Sequence, residues 1–161
     1  MLKTHSWRTA SLVMALIAIV GFALPALGDD WRPFIGHVDE TLTGAETVDN
    51  DCPMSCQVTA SGTGYATYLG RFTRLSCVVV TEDGSAAGIT EFTAANGDTL
   101  CAEFKGGPPD QDNTVRGTYT FTGGTGRFSD ASGGAYLVGV ITPDDAGNIH
   151  IAVEFGGIIQ Y

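Results

Sequence analysis

The sequence predicts an all-β protein, a small eight-stranded antiparallel up-and-down barrel, and three observations predict it. Apolar and polar residues alternate with period two through several segments, as strands with one buried face require. Glycines punctuate the segments at turn positions. No window after the first 28 residues carries a helical stripe with caps.

The N-terminal stretch has the order of a secretory signal. Lys3, His5 and Arg8 form a basic region, Ala10 to Leu27 is apolar apart from Ser11, and Ala26-Leu27-Gly28 supplies small residues before Asp29-Asp30. Residues 1–28 are therefore expected to be a signal peptide cleaved after Gly28, and 29–161 a single β-barrel domain, secreted or periplasmic. An uncleaved anchor is the alternative, but Pro25 and the shortness of the apolar run argue against it. No membrane span is expected once the signal is gone. Without Lys3 and Arg8, 6 basic residues face 18 acidic ones, a net charge of −12. Such a surface repels phosphate, so nucleic acid is excluded as a partner class.

The segments follow in order near 34–43, 55–61, 64–82 (long and bent), 86–94, 99–105, 115–122, 132–142 and 149–159. Leu100, Ala102 and Phe104 alternate with Cys101, Glu103 and Lys105. Ile149, Ile151, Val153 and Phe155 alternate with His150, Ala152 and Glu154. Asp83-Gly84 suits a two-residue hairpin loop, and the run from Pro143 to Asn148 a longer turn. Pro108-Pro109 bars a central strand between residues 106 and 113. A type I turn with a glycine bulge at Ala94 to Asp98 sets Phe92 against Leu100, Thr90 against Ala102 and Glu91 against Cys101, keeping the faces unmixed. Many short strands with no covering helix must hide their edges, and closure does so. An open β-sandwich is the runner-up.

Four cysteines in an exported chain suggest disulfides. Through a two-residue turn at Asp83-Gly84, Cys77 falls on the Phe92 face, opposite to Cys101 and two strands away, which disfavours bridging the two. Of the pairings among Cys52, Cys56, Cys77 and Cys101, Cys52 with Cys56 is favoured by elimination. Soft-metal binding by Cys52-Pro-Met-Ser-Cys56 is the rival reading, and a structural disulfide is preferred. Neither a metal site nor a cofactor is expected, since His37 and His150 lack ligand spacing with the cysteines.

The most distinctive run is Gly123-Gly124-Thr125-Gly126-Arg127-Phe128-Ser129-Asp130-Ala131-Ser132-Gly133. Its residues read as a strand end, a turn built on Gly123, Gly124 and Gly126, an aromatic plug at Phe128 and a return strand. The run resembles the Gly-Gly-Thr-Gly-x-Phe-x-x-Ala-x-Gly motif of the dirigent and allene oxide cyclase superfamily. Residues 66–72 and 92–100 also resemble bacterial exported members of that group. The resemblance implies an eight-stranded barrel around a small apolar cavity, of the kind that in plant members binds hydrophobic molecules and steers a cyclisation or radical coupling. It carries no catalytic residue onto this chain.

Inward candidates for contact with a hydrophobic ligand are Phe92, Leu100, Phe104, Phe121 and Phe128, with Arg127 for an anionic group. Glu91, Glu103 and Glu154 are candidate acid–base groups if their faces line a cavity, and solvated surface if they look outward; the outward reading is preferred, because unpaired buried carboxylates are costly. The leading expectation is a non-catalytic exported barrel that binds a small hydrophobic molecule or self-associates. An isomerase or coupling-directing protein acting on a hydrophobic substrate is the alternative. A small outer-membrane barrel is a second one, prompted by the alternation of Phe155, Ile159 and Tyr161.

Overall fold

The computed structural model describes residues 30–43 and 58–161. The expected signal peptide and the Cys52–Cys56 pairing lie outside the described residues. Eight strands follow one another: β1 (Arg32–Thr43), β2 (Val58–Ala66), β3 (Gly70–Val80), β4 (Ala86–Ala94), β5 (Thr99–Gly106), β6 (Thr114–Gly124), β7 (Ser132–Pro143) and β8 (Ile149–Gln160). Each pairs antiparallel with the next, and β8 returns to pair with β1 from Arg32↔Ile159 to Leu42↔Ile149. The barrel is closed. A sandwich is ruled out because no strand is left with an unpaired edge.

Period-two alternation sorts every strand into an inward and an outward row. Phe34, Val38, Phe72, Phe92, Leu100, Phe104, Tyr119, Phe121 and Phe155 point inward and are buried. Phe34 stacks on Phe155, and Phe92 meets its neighbours edge-on or tilted, 5.4 Å from Phe72, 5.6 Å from Tyr119 and 6.0 Å from Phe155 between centroids. So narrow a lumen holds large rings only where a neighbour is small. A Cβ on Gly64 would stand 2.7 Å from Phe72 Cζ, and one on Gly36 2.7 Å from Phe155 Cζ. Mid-strand glycine is the space the rings occupy.

That packing explains where the strand boundaries differ from expectation. Residues 64–82 are not one bent strand. Gly62 and Gly64 sit inside β2, and the chain turns instead at Thr67-Tyr68-Leu69, where Tyr68 takes a φ of +67°. The Thr67 hydroxyl donates to the Pro33 carbonyl and accepts from the Ile35 amide, both at 3.0 Å, tying the turn to β1.

Four loops share one turn. In Thr81–Ser85, Ala94–Asp98, Asp110–Thr114 and Asp144–Asn148, the first residue's amide donates to the fifth's carbonyl and the fourth's amide to the first's carbonyl. The fourth residue is left-handed in each: Gly84, Gly97, Asn113 and Gly147, with φ of +84°, +88°, +55° and +85°. This is the type I turn with a bulge. At Ala94–Asp98 it produces the expected register of Phe92 on Leu100 and Glu91 on Cys101. At Thr81–Ser85 it corrects the expected two-residue loop. The extra residue shifts the pairing by one, setting Cys77 opposite Ile89 rather than Thr90. A one-residue shift reverses the face, so Cys77 lies outward, on the same face as Cys101 and not on that of Phe92.

A short 3₁₀ turn, Gly126–Phe128, seats the fully buried Phe128 at the barrel end where the β2–β3 and β4–β5 loops lie. Tyr161 packs on it at 4.9 Å between centroids. Phe92→Ala opens a void at the centre of the ring cluster and is expected to cost about 3–5 kcal/mol in urea unfolding. Tyr136→Ala, at a residue 77% exposed, is expected to stay within about 0.5 kcal/mol of the parent.

Candidate functional site

Two charges interrupt the apolar inward rows. On β1 the series Phe34, Gly36, Val38, Glu40, Leu42 places a carboxylate inside, and on β3 the series Phe72, Arg74, Ser76, Val78 places a guanidinium inside. Register brings them together: Glu40 and Arg74 both stand opposite Gly62, one on each side of β2. Lacking a side chain, Gly62 lets them meet above it. A Cβ there would be 2.8 Å from Glu40 Cβ.

Arg74 Nη1 lies 3.1 Å from Glu40 Oε2, with both side chains at most 5% exposed. The contact has ion-pair distance but not hydrogen-bond direction, so both atoms keep unfilled hydrogen-bonding capacity. Arg74 Nε donates to Thr90 Oγ1 at 2.9 Å, and Ser76 Oγ lies 2.7 Å from the same oxygen. The guanidinium also rests 5.7 Å from the Phe92 ring and 5.3 Å from the Tyr119 ring, within cation–π range. The Tyr119 hydroxyl is buried and has no hydrogen-bond partner among the described residues.

Burial raises the Glu40 pKa above its ordinary 4.5, and the attraction of Arg74 offsets this only in part. Tyr119 is pushed up to about 12 by burial, against the Arg74 charge, with Glu40 adding to the rise. The cluster is thus a carboxyl held toward its neutral form, a fixed cation and a phenol kept protonated. Between them these groups can donate, accept and exchange a proton.

The sequence reading singled out other carboxylates. Glu91, Glu103 and Glu154 all stand on the outward rows, Glu103 and Glu154 exposed and Glu91 only 8% exposed. None faces the lumen. Phe92, Leu100, Phe104, Phe121 and Phe128 do face inward and are buried in the core. Arg127 stays outside: it pairs with Asp98 at 3.6 Å, donates from Nη2 to the Tyr68 carbonyl at 2.6 Å and lies 4.9 Å from the Phe128 ring centroid, closing the barrel end. Gly123 and Gly126 have φ of +109° and +56° in that turn, and a Cβ on Gly124 would collide with the Thr99 carbonyl. Glu40 and Arg74 were missed although a signal was present. Each is a charge at the even position of an apolar alternation, and their signs are opposite.

Elsewhere on the barrel, a solvent-open groove of about 670 Å³ crosses the outer wall of β1–β4 between His37, Asp39, Tyr65 and Arg71. His150 pairs with Asp144 at 3.2 Å, outside the lumen. Among the described residues no group of three His, Cys, Asp or Glu side chains could hold a metal ion.

No protein-family profile matches the chain, and no curated protein does. Among solved structures it is similar to the pterocarpan synthase dirigent protein GePTS1, at 12% identity and a TM-score of 0.49 over 85% of this chain and 96% of that one. It is also similar to the pterocarpan synthase dirigent protein PsPTS1, at 13% identity and 0.43 over 80% and 95%.

The raised Glu40 pKa fixes the sign of a pH effect. Above 4.5 the unfolded chain releases a proton that the folded chain retains, so stability falls as pH rises through the folded pKa. Asp83, Asp110 and Asp144, all shifted down from 3.8 by hydrogen bonds, act oppositely and only below that value. Glu40→Gln is expected to flatten the thermal midpoint above pH 4.5, measured by circular dichroism in steps of pH. Arg74→Met alone leaves a buried carboxyl without its counter-charge and is expected to cost about 3–5 kcal/mol, most of it regained in Glu40→Leu/Arg74→Met.

Proposed function

We propose that the chain is an exported binding barrel of dirigent type, whose lumen takes a small hydrophobic molecule bearing one hydroxyl or carbonyl group. The carrying observation is the unfilled hydrogen-bonding capacity of Glu40, Arg74 and Tyr119 deep in an apolar wall. Buried polar atoms in native proteins are normally satisfied, and exceptions call for a role. A ligand oxygen placed among them accepts from Arg74 or Tyr119; if it is a hydroxyl it also donates to Glu40. The molecule enters at the end formed by the β3–β4, β5–β6 and β7–β8 loops. There Leu42, Val58, Ala86, Val115 and Ile151 are only half-buried, and Glu40 lies one inward position below Leu42. Few polar groups in an apolar setting is the ordinary make-up of a small-molecule site.

A second reading rests on the carboxyl itself. Held above its ordinary pKa, Glu40 is suited to move a proton on such a ligand, as an isomerase requires. The outer-membrane alternative loses its support, because the lumen is apolar and the outward rows carry His37, Asp39, Arg71, Glu103, Lys105 and Glu154, the reverse of a membrane barrel. Self-association, if it accompanies binding, has an exposed stripe available on β7 in Tyr136, Val138 and Val140. A dimer formed through it is expected to dissociate in Val138→Lys, read by sedimentation.

The probe for the binding reading is 2-naphthol, a hydrophobic ring system with a single hydroxyl. Saturable quenching of its fluorescence is expected, weakening about tenfold in Tyr119→Phe, the loss of roughly one hydrogen bond. Absence of saturable binding, or equal binding by Tyr119→Phe and Glu40→Gln, overturns the site. Intact mass of the exported protein checks export, with residues 1–28 expected to be missing.

A further inference from the structure

The outward surface of a closed barrel is exposed by construction, yet one patch of it is not. Thr59 and Cys77 are each 2% exposed and Glu91 8%, and all three stand on outward rows. They are contiguous: Thr59 is the ladder partner of Cys77, while Glu91 pairs with Leu75 on one side and Cys101 on the other. Each of Thr59, Cys77, Glu91 and Cys101 is engaged by a partner, and neither cysteine is a free thiol. Many outward residues elsewhere on the wall, such as Tyr65, Glu103, Tyr136 and Glu154, are exposed, while Thr99 is buried where it meets Thr125.

Cys77 and Cys101 cannot satisfy one another. Cys77 is level with Glu103, two strands away, and Cys101 is two residues further along. At about 4.8 Å per strand and 3.4 Å per residue the separation is about 12 Å, against a limit of about 7 Å for a disulfide. The chain holds two more cysteines, Cys52 and Cys56, both in the 44–57 connection that joins the paired ends Thr43 and Thr59 of β1 and β2.

We propose that the four cysteines form two disulfides, Cys56–Cys77 and Cys52–Cys101. Chain reach selects this pairing. Val58 is the ladder partner of Val78, so it stands about 6 Å from Cys77, a distance that two residues of chain and a disulfide can span. From Val58 to Cys101 the distance is three strands and three residues, about 17 Å. Cys56 spans about 7 Å of chain plus about 7 Å of disulfide, which falls short. Cys52, four residues further on, covers it. Each bridge forms when two cysteine thiols give up two protons and two electrons to an external disulfide, such as that of a thiol oxidoreductase, which leaves as two thiols.

Peptide mapping tests it on the unmodified chain, expressed into an oxidising compartment and purified without reductant after alkylation. Cyanogen bromide cuts after Met54, between Cys52 and Cys56, and a glutamate-specific protease cuts after Glu82 and Glu91, between Cys77 and Cys101. The expected linked fragments are Cys56 with Cys77 and Cys52 with Cys101. A Cys52–Cys56 or Cys77–Cys101 link, the crossed pairing, or alkylated Cys77 or Cys101 overturns the proposal. The outcome is independent of whether the lumen binds 2-naphthol.

Discussion

Closure of eight strands sets a lumen just wide enough for side chains to fill or for one small ligand, and the rest of the molecule answers to that width. Every large inward group needs a small one beside it. Phe72 lies over Gly64 and Phe155 over Gly36, while Phe104 Cε1 would be 3.0 Å from a Cβ on Gly88. The glycines that look like strand breakers in isolation are the space in which the aromatic cluster stands. Their lost strand propensity is offset by the rings they admit, each of which buries substantial apolar area.

The same rule places the polar cluster. Gly62 is the gap through which Glu40 and Arg74 approach, and neither charge could be inward without it. The pair makes a poor stability device, because desolvation of both ions offsets their attraction. An aliphatic pair would fill that volume at less cost. Beside the ion pair lies a buried phenol with no hydrogen-bond partner among the described residues, so the lumen combines an aromatic cluster with a polar one.

Turn chemistry controls which residues share a wall. Four hairpins use one bulged turn, and each adds a residue that a two-residue loop lacks. At Thr81–Ser85 that residue decides whether Cys77 joins the core or the outer surface. The glycine in both Asp83-Gly84 and Asn96-Gly97 suits either turn, so the local residues leave two registers open. At Ala94–Asp98 the apolar alternation on both strands discriminates between them. Around Thr81–Ser85 the β3 side reads Cys77-Val78-Val79-Val80, apolar on both faces, and the pattern there cannot choose.

Alternation, turn residues and the bar set by Pro108-Pro109 were enough to determine the number of strands, the antiparallel order and the inward direction of Phe92, Leu100, Phe104 and Phe121. These are properties of one strand or one hairpin, and they are written within a few residues of each other. What only the tertiary structure decided is which inward residues meet. Glu40 and Arg74 are 34 positions apart and Tyr119 a further 45. The meeting of Glu40 and Arg74 depends on the β1–β2 and β2–β3 registers, and the place of Tyr119 on the closure of the ring by β8–β1. A shift of one residue in either register would part Glu40 from Arg74, because the face of a strand reverses with every residue while the chain's local pattern barely changes.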